Sequence, residues 1–437
     1  MRTNRATGED VDGTPDPGEE WLSAAEASRR LGVTPATLYA YVSRGLVTSY
    51  RTSGERTSRY SAREVGRLAA RSRGAGTARG LEVVVDTELT LLDPAGHLYY
   101  RGHDATELCR HSSFETVAEL LWTGRLGDVE SWSVPEANLA VAREIARLLP
   151  VAATPVDRLR TVICALAPAD PLRHDRRPEA VASTARILLA TMVDCLEPAG
   201  APDGVVGVSV AGVSGGAPTR GLAAALWPAL TSEPPNPERL AALNGALVLL
   251  ADHELAASTL AARVAASTWA DPYLVVAAGL AVLGGPLHGG ASERVRDLLA
   301  AVGEIGAAGA LGQALQQGQT LPGFGHKVYT SADPRSSALI GLVSAGWPDR
   351  VDIGAARALI DLVASRDGPA PNVDLALGLF TTCAGMVRGA GETIFAVARS
   401  AGLVAHAIEE YEHRLRFRPR AAYVGPLPAG VGSPAQL

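Results

Sequence analysis

The chain has 437 residues, 47% of them hydrophobic and 20% charged, enough to bury a large core and to divide into two or three domains, which excludes a fibre, a disulfide knot and a wholly disordered chain. Its 40 basic and 46 acidic residues leave a net charge of −6, which by itself calls for no polyanionic partner. The charge is unevenly placed: residues 21–80 carry 11 Arg against 3 acids, residues 81–437 carry 27 basic and 37 acidic side chains, so a small basic module precedes a large acidic one.

Residues 1–20, rich in Asp, Glu, Gly, Pro and Thr, predict a disordered tail. Ser23 and Glu26 then have the spacing of a capping box, Ala24, Ala27 and Leu31 make an apolar stripe, and Gly32 ends a first helix. Thr34 and Pro35 start a second helix with Leu38 and Val42 facing inward and Gly45 as its stop. VTSYRTSGERTSRY predicts two short strands around Gly54, and Ser61 with Glu64 repeats the capping box before a third helix. After a Gly- and Arg-rich linker at residues 74–80, Leu81 to Leu92 alternates as an extended segment. Beyond Phe114 nearly every stretch between Pro and Gly breaks has i, i+3, i+4 apolar spacing, as in SFETVAELLWTG and ERVRDLLAAVGEIG, so the large module is mostly α-helical. Residues 197–221 are Gly- and Pro-rich and predict a loop. Cys109, Cys164, Cys195 and Cys383 lie far apart without a C-x-x-C pair, which suggests neither zinc site nor disulfide framework and fits a reducing cytoplasm. The first residues offer no apolar stretch for a signal sequence, and no uninterrupted apolar run reaches about 18 residues, so a soluble protein with no membrane partner is expected.

Three histidines and an aspartate occupy unusual local settings. His253, in LLADHELAAST, lies between two carboxylates and two apolar helical runs, as either a core histidine or a ligand. His288, in GGPLHGGASERV, sits where glycines let the backbone approach a ligand closely, just before a helix start that favours a neutral imidazole able to donate to an oxyanion; an incidental histidine in a Gly-rich turn is the alternative. His326, in LPGFGHKVYTSADPRS, precedes Asp333 as a cap, Pro334 at the first helical position and Arg335, whose fork beside free amides suits a carboxylate or else covers its own helix start. Asp374, in APNVDLALGLF, has apolar neighbours that would raise its pKa and strengthen it as a base, unless it is only a cap.

GPLHGGA, GFGHKVYTSADPR and PNVD, in that order after LLADHELAASTLAARVAAST, resemble the signature segments of the citrate synthase family. GLEVVVDTELTLLDPAGHLYYRGHDATEL, SFETVAELLWTGRL, PVDRLRTVICAL and FAVARSAGLVAHAIEEYEHRLRFRPRAAYVGP extend the resemblance over most of residues 80–426, toward the shorter bacterial and archaeal members. It implies a mostly α enzyme over residues 81–437, with a large domain and a small domain near residues 290–385 that close over the substrates, working as a cytoplasmic homodimer. It also implies roles. Asp374 would take a proton from the acyl-CoA methyl group, His288 would donate to the thioester oxygen, and His326 would polarise and protonate the oxaloacetate ketone. His253, Arg335, Arg399 and Arg418 would hold carboxylates, Arg418 coming from the partner subunit. The chemistry fits these types: enolate formation needs a positioned base and an oxyanion donor, and a dianionic substrate needs fixed guanidinium groups. Closure would keep water from the enolate. No metal is required, no ligand cluster for one is visible, and no cofactor is implied beyond coenzyme A esters as substrates.

The implied reaction is the tricarboxylic acid cycle condensation of acetyl-CoA with oxaloacetate, followed by hydrolysis of citryl-CoA to citrate and CoA. Propionyl-CoA, giving 2-methylcitrate, is the alternative. The stretch Gly204 to Gly216 and the NVDLALG segment depart from the family, and one methylene changes pocket affinity by only about 1–3 kcal/mol.

Residues 21–73, through LSAAEASRRLGVTPATLYAYVSRGL, RTSGERTSRY and SAREVGRLAA, resemble MerR- and excisionase-type winged helix-turn-helix domains. The basic balance agrees with phosphate contact. Such a domain would place Pro35 to Ser43 in the major groove of DNA, with Thr37, Tyr39 and Tyr41 toward the bases and Arg44, Arg51, Arg56 and Arg59 toward phosphates. Its alternative use is protein contact or oligomerisation. For the whole chain, the alternative from another class is a DNA-binding regulator whose synthase-like portion senses CoA esters or oxaloacetate without turnover. The presence of all seven implied site residues favours catalysis.

Overall fold

The computed structural model describes residues 20–43, 47–50, 57–62, 64–66, 84–129, 132–150, 152–200, 221–285, 289–317, 320–413 and 416–418. The chain divides into two units, Met1–Asp86 and Thr87–Leu437. The expected tail, the 74–80 linker, Gly45 and most of the 197–221 loop lie outside the described residues.

In the first unit, β1 (Trp21–Ser23) leads into α1 (Ala24–Leu31) and α2 (Pro35–Ser43), followed by β2 (Ser49–Tyr50) and β3 (Arg59–Ser61). Both halves of the capping box at α1 form: Ser23 Oγ accepts the Glu26 N–H at 3.2 Å, and the Glu26 carboxylate accepts the Ser23 N–H at 3.0 Å. Gly32 closes the helix at φ 67°, where a residue with a Cβ is disfavoured. The sheet is antiparallel in the order β1-β3-β2, so the expected hairpin gains Trp21 to Ser23 as a third strand. Leu22, Ala27, Leu31, Leu38, Val47, Tyr60 and Val65 make its core. Two short helices and a small sheet around one apolar cluster form a winged helix-turn-helix.

The second unit opens with antiparallel β4 (Thr90–Asp93), β5 (His97–Tyr100) and β6 (His103–Asp104), where the sequence predicts only an extended segment. Helices follow: α3 (Ala105–His111), α4 (Phe114–Thr123), α5 (Glu136–Leu148), α6 (Pro155–Leu166), α7 (Pro178–Asp194), α8 (Leu222–Leu230), α9 (Pro237–Leu250), α10 (Ala257–Ser267), α11 (Pro272–Leu283), α12 (Ala291–Gln316), α13 (Pro334–Gly346), α14 (Val351–Ala364), α15 (Val373–Cys383) and α16 (Ala390–His413). Every residue of α16 from Thr393 to Ile408 is buried, as expected for a helix enclosed on all sides; α4, α6, α7, α9, α10 and α11 pack around it. α12 and α14 share a second cluster of Leu298, Val302, Ala310, Leu311, Leu359 and Val363. By length and composition α12 alone among the described helices could cross a membrane, but Gly306 at φ 76°, ψ 162° interrupts it.

Candidate active site

The β4–β5 hairpin fixes the end of α9, where His253 emerges. The buried Tyr100 hydroxyl donates toward the carbonyls of Asp252 and Val248, at 3.0 and 3.1 Å. Thr90 Oγ1 donates to Asp252 Oδ2 at 2.6 Å, and the same oxygen accepts the Glu254 N–H at 3.0 Å. Glu254 turns the chain at φ 53°. His253 thereby faces Tyr329, its Nε2 3.2 Å from the phenol oxygen, and its ring centroid lies 5.1 Å from that of His326.

His326 is carried by a loop laid along the approach to α15. Gly325 N–H donates to the Ala370 carbonyl at 2.8 Å, Asn372 N–H to the Gly323 carbonyl at 2.9 Å, and Asn372 Nδ2 to the Gly325 carbonyl at 2.9 Å. Gly323 and Gly325 have φ of 81° and 82°, a region that favours glycine. At Gly323 a Cβ would stand 2.9 Å from Leu375 Cβ and Val295 Cγ2. The sequence pattern of spaced glycines thus has a steric cause: the loop that carries His326 lies against the first turn of α15, which carries Asp374.

The hydrogen bonds define the His326 tautomer. Its Nδ1 accepts the N–H groups of Val328 and Tyr329, at 3.0 and 3.3 Å, so the proton of the neutral ring sits on Nε2. Burial, then the positive charge of Arg335, pulls its pKa below the ordinary value. Burial pulls His253 well below it too, reinforced by Arg335, Arg399 and His326. Two neutral imidazoles therefore adjoin two buried guanidiniums.

Asp333 caps α13 and grips Arg335, with Oδ1 to Nε at 3.0 Å and Oδ2 to Nη2 at 2.8 Å. Burial would raise Asp333, but Arg335 and the Val373 N–H, 2.9 Å from Oδ2, outweigh it and hold the carboxyl below its usual range. The sequence leaves the Arg335 fork open to a ligand; in the structure Nε and Nη2 are bonded to Asp333. Of the two sequence alternatives for Arg335, these bonds show that it covers its own helix start.

Asp374 stands in the first turn of α15, after Asn372, whose side chain accepts its N–H at 3.0 Å. The residue as a whole is partly buried, but its carboxyl is desolvated. Burial lifts its pKa to about 6, against the attraction of Arg335 and with the repulsion of Asp333. It is a carboxylate at neutral pH and a stronger base than an exposed one.

Arg399 projects from the centre of α16, 1% exposed, with Nε bonded to the Leu250 carbonyl at 3.0 Å and the guanidinium 4.8 Å above the Phe395 ring. Gly402, one turn further on, would put a Cβ 2.4 Å from Asp252 Oδ1, so this glycine lets α16 approach the His253 turn. Arg418 is exposed. His288 lies outside the described residues. In the first unit Thr37 Oγ1 lies 3.0 Å from Thr34 Oγ1, Tyr39 is 56% exposed, Tyr41 packs against the small core and Arg59 is exposed; Arg44, Arg51 and Arg56 lie outside the described residues. Among the described residues no group of three or more His, Cys, Asp or Glu side chains is placed to hold a metal ion.

Sequence reasoning missed Tyr329 and Asp252. Tyr329 stands three residues after His326 in GFGHKVYTSADPR, but nothing local shows that its hydroxyl reaches His253. Asp252 is visible only as a neighbour of His253; its burial depends on β4 and α16, which are far away in sequence.

The family described as citrate synthase, C-terminal domain, matches residues 79–420, and the MerR HTH regulatory protein family matches residues 22–71. Citrate synthase 2 of Bacillus subtilis is 33% identical over 80% of this chain and 96% of its own length. A 2-methylcitrate synthase of Mycobacterium tuberculosis is 31% identical over 78% of this chain and 89% of its own. Among solved structures, citrate synthase of Thermoplasma acidophilum in a ternary complex with carboxymethyl coenzyme A and oxaloacetate is 25% identical with a TM-score of 0.65, covering 81% of this chain and 97% of that one. Matching family, length and fold show that the chain belongs to the citrate synthase family of acyltransferase-type enzymes.

Proposed function

We propose that this chain condenses acetyl-CoA with oxaloacetate and hydrolyses the resulting citryl-CoA. The observation that supports the reading is that one pair of hydrogen-bonded segments carries His326 and Asp374, with the charge of Arg335 acting on both. Asp374 takes a proton from the carbon next to the thioester, and His288 donates to the thioester oxygen as the enolate forms. That carbon attacks the ketone of oxaloacetate, whose oxygen takes the Nε2 proton of His326 and becomes the tertiary alcohol. Water then cleaves the thioester, releasing CoA as its thiol. Arg335, Arg399 and His253 hold the keto-diacid, joined by Arg418 of the partner copy in a homodimer. Support for the dimer comes from Val264, Leu274 and Val282, large apolar side chains exposed on α10 and α11.

A second reading, condensation of propionyl-CoA to 2-methylcitrate by the same steps, is favoured by the resemblance to 2-methylcitrate synthases at about the same identity. Thiol release with oxaloacetate and each ester in turn decides between them. The larger kcat/KM is expected with acetyl-CoA; a larger value with propionyl-CoA reverses the assignment. No thiol from either leaves the chain a regulator that binds its ligand without turnover, the reading that its MerR-type match supports.

A further inference from the structure

Behind the His253 turn lies a line of buried charged side chains that the proposed chemistry does not use. Arg263, on α10, is wholly buried. Its Nη1 donates to Glu410 Oε2 at 2.9 Å, its Nη2 reaches Glu409, and its Nε donates to His406 Nδ1 at 2.9 Å. Across the same imidazole, His406 Nε2 stands 3.2 Å from Asp252 Oδ1. Because Nδ1 is occupied as an acceptor, the ring carries its proton on Nε2, the nitrogen that stands beside the aspartate. Asp252 holds the turn through its other oxygen, which takes the Thr90 hydroxyl and the Glu254 N–H. Arg399, His406 and Glu410 are seven and four residues apart, so α16 carries them on one face; the substrate-facing guanidinium and the buried line belong to one rigid element.

Burying so many charges is costly unless each is partnered, and a packed apolar cluster would fill the same space. What the line adds is direction. An imidazole bonded to a fixed guanidinium and standing 3.2 Å from Asp252 Oδ1 limits the orientation of the Asp252 carboxylate, and with it the path of the Asp252–Glu254 turn. We propose that His406 and Arg263 are positioning residues for the keto-diacid pocket: through Asp252 they set where the His253 ring stands relative to Arg399. This inference rests on the proposed binding of oxaloacetate at His253 and Arg399.

Two conservative variants separate orientation from bulk. His406→Asn keeps an acceptor for Arg263 near the Nδ1 position but falls short of Asp252. His406→Gln places an amide N–H near the Nε2 position, within reach of Asp252. Steady-state kinetics are expected to show KM for oxaloacetate raised on the order of ten- to a hundredfold in His406→Asn with kcat within a few-fold of wild type, and within about threefold of wild type in His406→Gln. Hydrogen exchange of the free protein supplies a readout independent of turnover: the amides of residues 252–254 are expected to exchange about tenfold faster in His406→Asn only. Equal shifts in both variants, tracking their loss of thermal stability, would mark a merely structural role and overturn the proposal. So would an unchanged KM or unchanged exchange in His406→Asn. If neither variant folds, Thr90→Val, isosteric and directed at the same aspartate, is read against the same expectations. A wild-type enzyme without turnover removes the synthase reading, and the exchange data still decide whether His406 orders the turn.

Discussion

At the scale of single residues, the lifted pKa of Asp374 makes two opposite demands on one side chain. As a base it must be ionised, so kcat/KM should rise about tenfold per pH unit up to about 6 and then level off. As a buried carboxylate it destabilises the fold when ionised. Its folded pKa lies above its unfolded one, so the native state binds the proton more tightly; the protein is spared the cost below about pH 4 and bears all of it once pH has risen through about 6. Two pKa units correspond to a cost of roughly 1–3 kcal/mol at pH 8. Asp374→Asn should therefore lower kcat by about 10²- to 10⁴-fold, leave oxaloacetate affinity nearly unchanged, and raise stability to urea at pH 8 but not at pH 4. Matched denaturation curves at the two pH values check this, and equal stability at pH 8 would show that the carboxylate is solvated after all. That the Asp374 pKa is raised is legible in its apolar neighbours. The charges of Arg335 and Asp333 that act on it come from the start of α13, which no local pattern reveals.

Among the elements, the helices and their caps are the most legible part of the molecule, because a cap and an apolar stripe are local properties. Ser23 with Glu26 and Asp333 with Pro334 cap helices where the sequence places them. The β4–β5–β6 sheet is less legible, since it is short and is held by α13 and the end of α9, far away in sequence, as well as by α3. The His326 loop lies between these cases: its glycines announce a close approach but not to what. In the structure the partner is α15, and the approach at Gly323 is tight enough to be tested. Gly323→Ala places a methyl group against Leu375 and Val295 at a backbone angle that L-residues rarely adopt. It should cost about 1–3 kcal/mol of stability and, by lifting the His326 loop off the first turn of α15, lower kcat more than it raises KM for oxaloacetate. A thermal melt and steady-state rates measure both. A variant that loses stability while keeping wild-type kcat would show that the loop re-seats itself without moving the imidazole.

For the whole molecule, an acidic enzyme unit follows a basic helix-turn-helix unit, and the charge contrast is plain in the amino-acid order alone. Charge does not by itself distinguish a DNA reader from a protein-contact module, since both can carry arginines on a small winged core. Symmetry gives the distinction a measurable form. If the enzyme unit is a two-fold dimer, each assembly holds two copies of the first unit, and a palindromic duplex presents two equivalent half-sites to them. Exposed Tyr39 on α2 and Arg59 on the β2–β3 hairpin then belong to a contact made mainly by arginine–phosphate pairs, whose affinity falls steeply with salt. With six or more such pairs per dimer, the fall between 50 and 200 mM salt is on the order of 10³-fold. Sedimentation velocity of the intact chain with a fluorescent duplex is expected to show a dimer that retains DNA at low salt and releases it at high salt. The chain lacking residues 1–75 should remain a dimer, turn over normally and retain none. Equal retention by both forms would move the nucleic-acid surface to the enzyme unit or make it non-specific, and loss of the dimer on truncation would assign the first unit to oligomerisation instead.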